Sequence, residues 1–195
     1  MKPIRQTIHF DKKLIDKDAK KVVKTLNKAG YEAYLVGGCI RDLLLGHKPK
    51  DFDIATSATP EQVHKIFKRS RLIGRRFRLV HIMFSSRKYI EVATFRSGKV
   101  KTAGNGVIVR DNLYGTLKED VFRRDFSVNA LYYDIQNSQV IDYVDGLEAL
   151  YNSEIRMIGN PVERFKEDPV RMIRAIRFKV KLGATIDPKI SKSIS

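Results

Sequence analysis

The strongest constraint on the fold is a predicted strand that runs into two glycines and then a short helix. Residues 31–36 are predicted to form the strand, Gly37 and Gly38 break it, and the helix follows over residues 39–45. Glycines let backbone N–H groups approach a phosphate closely, and a helix N-terminus adds positive potential. The guanidinium of Arg41 could donate two hydrogen bonds to the same phosphate. The segment predicts either a phosphate-binding turn or an ordinary connection between strand and helix.

A second predicted strand, residues 51–55, carries Asp51 and Asp53 on either side of Phe52. Residues two apart on a strand share a face, so both carboxylates are expected to point the same way. Two neighbouring carboxylates repel each other unless a cation lies between them. Oxygen ligands select Mg²⁺, which binds through a few carboxylates plus substrate phosphates. The pair therefore predicts a Mg²⁺ site, with a solvent-facing strand end as the alternative.

Glu91 is the candidate third carboxylate of a two-metal site. It lies between Ile90 and Val92 in a strand predicted over residues 88–95. A carboxylate flanked by apolar residues is costly to bury unless it is paired or binds metal. The alternative is that Glu91 faces solvent from a half-exposed strand.

A helix predicted over residues 120–131 places Asp125 and Asn129 four residues apart on one face. Their donors and acceptors suit ribose hydroxyls, and the preceding Arg123 and Arg124 suit a triphosphate. Helix capping and surface ion pairing are the alternative interpretation.

A helical pattern from residue 161 to 182, interrupted at Pro169, carries Asp168, Arg171 and Arg174 at intervals of three. An aspartate accepts from an exocyclic amine and an arginine donates to a ring nitrogen, and adenine and cytosine both offer that combination. The alternative is a ladder of salt bridges within the helix, worth a few tenths of a kcal/mol per pair.

The charge balance indicates a polyanionic partner, because 38 basic and 22 acidic side chains give a net charge of +16. Seven basic residues lie between Lys65 and Arg78 with no acidic residue among them. Contacts to nucleic-acid phosphates need such density, whereas a solvated face usually mixes both signs. The candidate nucleic-acid contacts in this run are Lys68, Arg69, Arg75, Arg76 and Arg78.

Several classes of protein are excluded by composition. There is no apolar run of about 18 residues, so no membrane span is expected. The N-terminus lacks the apolar core of a secretory signal. The single cysteine, Cys39, excludes an internal disulfide framework and a multi-cysteine zinc site. The cytoplasm is the expected location.

The remaining elements complete an α+β arrangement, with mixed strands first and helices last. We expect an amphipathic helix over residues 14–29 and a helix that begins at Thr59 with a capping box closed by Gln62. Residues 97–118 are predicted to form a long loop.

Four segments occur in the order of one family's motifs, namely LVGGCIRDLLLG, DFDIAT, RRDFSVNAL and EDPVRMIRAIRF, across residues 30–183. The chain therefore resembles the nucleotidyltransferase superfamily, in the class that holds bacterial poly(A) polymerases and bacterial-type CCA-adding enzymes. The resemblance implies a catalytic head with a mixed β-sheet and flanking helices, followed by a helical neck. We expect the head over residues 1–145 and the start of the neck, cut short, over residues 146–195. Ser127 stands where the family more often has threonine, which keeps the hydroxyl.

The resemblance also implies roles for individual residues. It implies that two Mg²⁺ ions act, one activating the attacking hydroxyl and one binding the triphosphate. The implied residues are Asp51, Asp53 and Glu91 for metal and catalysis, Gly37, Gly38 and Arg41 for the triphosphate, Arg124, Asp125 and Asn129 for ribose and phosphate, and Asp168 and Arg171, with Arg174 nearby, for the base.

Two segments favour one activity within this class. Residues 72–81, LIGRRFRLVH, are similar to the segment that marks bacterial poly(A) polymerases, and CCA-adding enzymes typically lack its doubled basic pair. Residues 110–116, RDNLYGT, also resemble the polymerase side. The expected activity is Mg²⁺-dependent transfer of AMP from ATP to RNA 3′ ends by a monomer, with the basic run holding the RNA backbone.

Two alternatives stay open. The first is addition of CTP and ATP to tRNA by a CCA-adding enzyme. The second is a non-catalytic RNA-binding fragment, against which the intact pair Asp51 and Asp53 argues. Family members usually carry further helical regions that hold RNA, so the chain is also expected to be a fragment.

Overall fold

The computed structural model describes residues 2–75, 78–98, 101–102, 108–110 and 113–194. Its strands are β1 Ile4–Thr7, β2 Ala33–Val36, β3 Asp53–Thr56, β4 Ser70–Ile73, β5 Leu79–Met83, β6 Tyr89–Thr94, β7 Lys101–Thr102, β8 Ile108–Arg110, β9 Tyr132–Asp134, β10 Gln139–Asp142, β11 Glu154–Ile155 and β12 Thr185–Ile186. Its α-helices are α1 Lys17–Lys28, α2 Gly38–Leu44, α3 Pro60–Ile66, α4 Leu117–Arg123, α5 Gly146–Tyr151, α6 Pro161–Glu167, α7 Val170–Leu182 and α8 Pro188–Ile194.

Eight strands form one mixed sheet in the order β1-β10-β9-β2-β3-β6-β5-β4. The pair β3 and β6 is parallel, whereas the other neighbours run antiparallel. The expected α+β class with a mixed sheet is therefore confirmed. The parallel pair sets Asp53 opposite Glu91, so two residues far apart in sequence become neighbours on adjacent strands.

The sheet is covered on both faces because its central strands alternate between two apolar clusters. On β2, Ala33 and Leu35 pack into the larger cluster, and Tyr34 and Val36 pack into the smaller one. Helix α1 lies on the first face and α4 on the second. Each fully buried Leu or Val contributes about 1.5–3 kcal/mol relative to leaving it exposed.

Local capping sets where several helices begin. Asp16 accepts hydrogen bonds from the backbone N–H groups of Asp18 and Ala19, so α1 begins at Lys17 rather than at the predicted residue 14. The predicted capping box of Thr59 and Gln62 is confirmed, with both reciprocal hydrogen bonds formed. Within the described part of the chain, no helix combines the length and apolar character that a membrane span requires.

The predicted helix over residues 120–131 is wrong. Helix α4 spans Leu117–Arg123, and a short 3₁₀ turn at Ser127–Asn129 follows an extended stretch. The extended backbone exchanges hydrogen bonds with a later segment: Ser127 N–H donates to the Arg156 carbonyl, and Ile158 N–H donates to the Asp125 carbonyl. Tertiary pairing therefore overrides the helical pattern, and Asp125 and Asn129 do not share a helix face.

The predicted loop over residues 97–118 is also only partly a loop. It contains the antiparallel ribbon of β7 and β8, and α4 begins at Leu117. Residues 99–100, 103–107 and 111–112, which the loop prediction includes, lie outside the described residues.

The C-terminal helical segment is interrupted at Pro169, as predicted. Asp168 is the C-cap of α6, and α7 begins after Pro169 and ends where Gly183 adopts a φ of 59°. Asp168 therefore does not share a helix with Arg171 and Arg174, which corrects the predicted single face. The parallel pair of β11 and β12 joins this region to the chain that follows α5.

Candidate active site

The three predicted carboxylates line one cavity. Asp51, Asp53 and Glu91 border a space of about 720 Å³ whose rim also includes Lys50 and Lys88. Asp53 is the first residue of β3, and Asp51 precedes the strand, so the prediction that both acids lie in one strand is wrong. The two side chains nevertheless border the same cavity, because the short link through the buried residue 52 keeps them together.

The cavity brings acidic side chains close to one another, although Lys50, Arg87 and Lys88 also line it. Desolvation, together with repulsion from Glu91 and Asp51, raises the pKa of Asp53 to about 6 against the opposing effect of Arg124. Oxygen donors that repel one another in this way fit a hard divalent cation. Among the described residues, no three His, Cys, Asp or Glu side chains lie close enough together to hold a metal ion by themselves, so substrate phosphates would have to complete the ligand set of a cation bound here.

Glu91 has a partner that the sequence analysis did not single out. His81 Nε2 lies 3.2 Å from Glu91 Oε2, and the imidazole stacks on the Tyr89 ring with centroids 4.1 Å apart. His81 and Glu91 are directly opposite on β5 and β6, so the alternation of these strands is the signal that could have found the contact. The pair fixes the orientation of the Glu91 carboxylate.

The glycine turn lies beside the residues assigned to ribose and phosphate. Gly37 has a φ of 78°, a conformation that favours glycine, and a Cβ there would lie 3.9 Å from the Asn129 carbonyl and 4.0 Å from Arg124 Nη1. At Gly38 a Cβ would lie 3.4 Å from Arg41 Nη2. These distances therefore bring together five of the six residues predicted for the triphosphate and the ribose, and Asp125 is the sixth.

Arg41 is buried inside this group rather than pointing outward. Its Nη1 donates to Asn129 Oδ1 at 2.6 Å, and its Nε and Nη2 donate to Asp42 Oδ1 at 2.9 and 2.7 Å. The guanidinium carbon also lies 5.6 Å from the centre of the Phe178 ring. Arg41 therefore links α2 to the 3₁₀ turn and to α7.

Arg124 is held by two residues absent from the sequence predictions. Its Nε donates to the Tyr132 hydroxyl at 2.7 Å, its Nη2 donates to Asp120 Oδ2 at 3.0 Å, and the Tyr132 hydroxyl donates to Asp120. Desolvation would lower the pKa of Arg124, but Tyr132 and Asp120 hold it above its usual value. The four-residue spacing of Asp120 and Arg124 is the sequence signal for this contact.

The residues predicted to read the base divide into two environments. Arg174 Nε donates a hydrogen bond of 2.6 Å to Asp125 Oδ2, and Asp125 is one of the residues predicted to contact the ribose. Arg171 is 7% exposed, and its Nη1 donates to the Arg164 carbonyl and to Glu167 Oε2. Asp168 accepts a backbone hydrogen bond at the junction of α6 and α7.

The predicted nucleic-acid contacts lie around the edge strand β4. Lys68 and Arg69 follow α3, and Arg75 follows β4, and all three are exposed. Arg78 is exposed and forms an ion pair of 2.7 Å with Glu61. Arg76 lies outside the described residues, as does part of the 110–116 segment.

A mixed sheet with carboxylates on adjacent parallel strands, beside a glycine turn that opens a helix, defines the class of nucleotidyltransferase-fold domains. Residues 33–156 match the sequence profile of the family described as "Poly A polymerase head domain", and the chain belongs to this family. The resemblance noted in the sequence is thereby confirmed.

The similar curated proteins carry two names. Poly(A) polymerase I of Escherichia coli O157:H7 is 52% identical over 97% of this chain, and that of Haemophilus influenzae is 50% identical over 95%. The CCA-adding enzyme of Enterococcus faecalis is 42% identical over 92% of this chain. The chain spans 43–46% of the length of these relatives.

Solved structures share the fold. The Bacillus stearothermophilus CCA-adding enzyme in complex with CTP superposes with a TM-score of 0.80 at 37% identity, over 91% of this chain and 42% of that one. A tRNA nucleotidyltransferase complexed with a primer tRNA and an incoming ATP analogue has a TM-score of 0.68 at 31% identity, over 89% and 48% of the two chains.

Proposed function

We propose that this chain is the catalytic head and the start of the neck of an enzyme that transfers AMP from ATP to RNA 3′ ends and releases pyrophosphate. The observation that carries the proposal is the pair Asp53 and Glu91, set side by side on parallel strands and facing one cavity. The 52% identity to Poly(A) polymerase I over nearly the whole chain supports this substrate choice.

The carboxylates are the proposed metal ligands. Asp51, Asp53 and Glu91 would hold Mg²⁺, which when bound lowers the pKa of the attacking hydroxyl and neutralises charge on the triphosphate. The raised pKa of Asp53 supports this assignment, because desolvation and the charges of Glu91 and Asp51 disfavour its ionised form, and a divalent cation would offset both effects. His81 restrains the Glu91 carboxylate through the 3.2 Å contact.

The glycine turn and Arg124 are proposed to bind the triphosphate. Gly37 and Gly38 bring backbone N–H groups close to the phosphates, since no side chain intervenes. Arg124 supplies positive charge, and its bonds to Tyr132 and Asp120 hold the guanidinium in place without loss of rotamer entropy on binding. Arg41 acts here through Asn129, which it orients for the ribose together with Asp125.

Base choice is assigned to the junction of α6 and α7. Asp168 would accept from an exocyclic amine, and Arg171 would donate to a ring nitrogen. Glu167 and the Arg164 carbonyl fix the plane of the Arg171 guanidinium, which favours one hydrogen-bonding pattern over others. Arg174, paired with Asp125, connects base reading to ribose binding.

The exposed basic residues around β4 are proposed to hold the RNA backbone. Contacts of this kind give weak sequence preference and strong salt dependence. We also propose that the enzyme acts as a monomer in the cytoplasm, where its two substrates, ATP and RNA, are both present.

Addition of CTP and ATP to tRNA is the second candidate. The 42% identity to a CCA-adding enzyme and the TM-score of 0.80 to one bound to CTP favour it. Both activities use the same carboxylate cavity, so only nucleotide and RNA choice separates them.

An extension assay at low salt with Mg²⁺ tests the proposal. A labelled generic RNA and a tRNA lacking its 3′ end are each offered every nucleoside triphosphate singly. We expect ladders with ATP alone on the generic RNA. Addition of cytidines confined to the tRNA would replace the proposal with the CCA-adding function. If neither RNA is extended and ATP does not bind in the presence of Mg²⁺, the chain is a non-catalytic RNA-binding protein.

A further inference from the structure

A second cavity opens beside α4, away from the carboxylates. It has a volume of about 360 Å³ and is lined by Gly98, Lys118, Glu119, Phe122, Arg123 and Arg164. None of these six residues lines the carboxylate cavity. Three of the six carry positive charge, and one is a large aromatic residue.

Helix α4 presents an aromatic and a cationic side chain together on its exposed face. Lys118 and Phe122 are four residues apart and therefore neighbours on the helix surface, whereas Leu117 and Val121 are buried against the core. Phe122 is 42% exposed, and its ring makes an edge contact with Tyr143 at 6.4 Å between centroids. The contact orients the ring while its accessible surface stays available.

The wall of the cavity carries more positive than negative charge, with Lys118, Arg123 and Arg164 against Glu119. Desolvation and then the charges of Arg96, Arg124, Arg164 and Arg171 lower the pKa of Arg123 to about 9. Arg164 is fixed in this wall, because its Nη2 donates to the carbonyls of Arg123 and Arg124 at 2.5 and 2.7 Å. Such a concentration of like charge favours an anionic occupant.

Glu119 is the one acid in the lining, and it is engaged locally. Its carboxylate accepts from the Thr116 backbone N–H at 2.8 Å and from the Thr116 hydroxyl at 2.9 Å. These hydrogen bonds belong to the capping box of α4, so the carboxylate has a structural role at the start of the helix.

The cavity is connected to the active site through Asp120. The Arg96 backbone N–H donates to Asp120 Oδ1 at 3.0 Å, and Arg124 binds the other carboxylate oxygen. Arg96 also interacts electrostatically with Glu91. Asp120 therefore joins α4, which borders the second cavity, to Arg124 of the candidate active site.

We propose that this cavity binds one nucleotide of the single-stranded RNA substrate, with its base on Phe122 and its phosphate near Lys118 and Arg123. An aromatic surface beside cations is the arrangement that holds single strands without strong sequence preference. The proposal rests on the proposed function, because it is the RNA 3′ end at the carboxylates that brings an upstream nucleotide to α4.

The site is tested by measuring the binding of 5′-labelled oligo(A) to this chain by fluorescence anisotropy, without Mg²⁺ or ATP. We expect Phe122→Ala to weaken binding about tenfold, since stacking contributes about 1–3 kcal/mol per base, and Phe122→Tyr to retain it. Lys118→Ala should lower the slope of log affinity against log salt by about 0.7, the value for one phosphate contact on a single strand.

Matched controls are Tyr151→Ala, which removes an aromatic ring 59% exposed on α5, and Lys24→Ala, which removes an exposed charge on α1. Neither should change oligo(A) binding, and far-ultraviolet circular dichroism checks that each variant folds. ATP affinity, measured by calorimetry, should be the same in Phe122→Ala as in the parent chain.

Three results would overturn the proposal: no oligo(A) binding by the parent chain, unchanged binding by Phe122→Ala, or a loss confined to ATP. The last would assign the cavity to a mononucleotide. The proposed function fails separately. A chain that binds oligo(A) through Phe122 yet transfers no AMP keeps this site and loses the proposed activity.

Discussion

Arg41 shows how one buried side chain holds the candidate site together. Its guanidinium contacts Asn129, Asp42 and the ring of Phe178, which belong to three separate segments. A buried charge of this kind is tolerated because its donors are satisfied by hydrogen bonds. Arg41 therefore orients Asn129, which we propose contacts the ribose.

Replacing Arg41 by alanine should destabilise the fold. Removing one partner of a buried charged pair leaves the others unsatisfied, and such changes cost about 3 kcal/mol. Urea unfolding measures the effect, and Arg177→Ala, which removes an exposed arginine from α7, is the matched control. Equal unfolding free energies for the two variants would refute the structural role of Arg41.

At the scale of elements, α1 depends on Asp16 at its N-terminus. Asp16 caps the helix and pairs with Lys88 at 2.8 Å, which joins α1 to the start of β6. Desolvation opposes ionisation, but the hydrogen bonds from Lys88 and from backbone N–H groups outweigh it and lower the pKa of Asp16 below its usual 3.8.

This shift predicts a pH-dependent contribution to stability. Because the folded-state pKa of Asp16 is lowered, its ionised form stabilises the fold above pH 3.8, and the contribution disappears as the pH falls through the lowered pKa. Asp16→Asn keeps an N-cap acceptor but removes the charge.

The variant should therefore have a lower free energy of unfolding than the parent chain at pH 7, and the same value at a pH below the lowered pKa of Asp16, where both are neutral at this position. Urea unfolding at the two pH values measures the difference. A difference of equal size at both would show that charge at Asp16 contributes nothing.

The elements that local signals define were predictable, and those that distant contacts define were not. The capping box at Thr59 and the break at Pro169 depend on neighbours in sequence, and both are found as predicted. The stretch from Asp125 to Asn129 takes its conformation from hydrogen bonds with residues 156–158, so the helix predicted from its sequence pattern does not form there. The edge strand β4, too, is fixed by pairing with β5 rather than by alternation of its own.

At the scale of the whole molecule, the candidate site is assembled by sheet order. The residue types of Asp53 and Glu91 indicated metal chemistry, but their proximity follows from the parallel pairing of β3 and β6, which spacing alone does not give. Contacts such as His81 with Glu91 and Tyr132 with Arg124 arise in the same way from neighbouring strands and helices. The sequence therefore indicated the residues of the candidate site, but not the side chains that contact them.

The central claim is that the carboxylate cavity performs AMP transfer, and Asp53→Ala tests it most directly. The variant should lose RNA extension with ATP and Mg²⁺ while its unfolding free energy does not fall, because the lost carboxylate is desolvated and is repelled by Glu91 and Asp51. Glu163→Ala, which removes an exposed acid from α6, is the control and should extend RNA normally. Near-normal extension by Asp53→Ala would contradict the account.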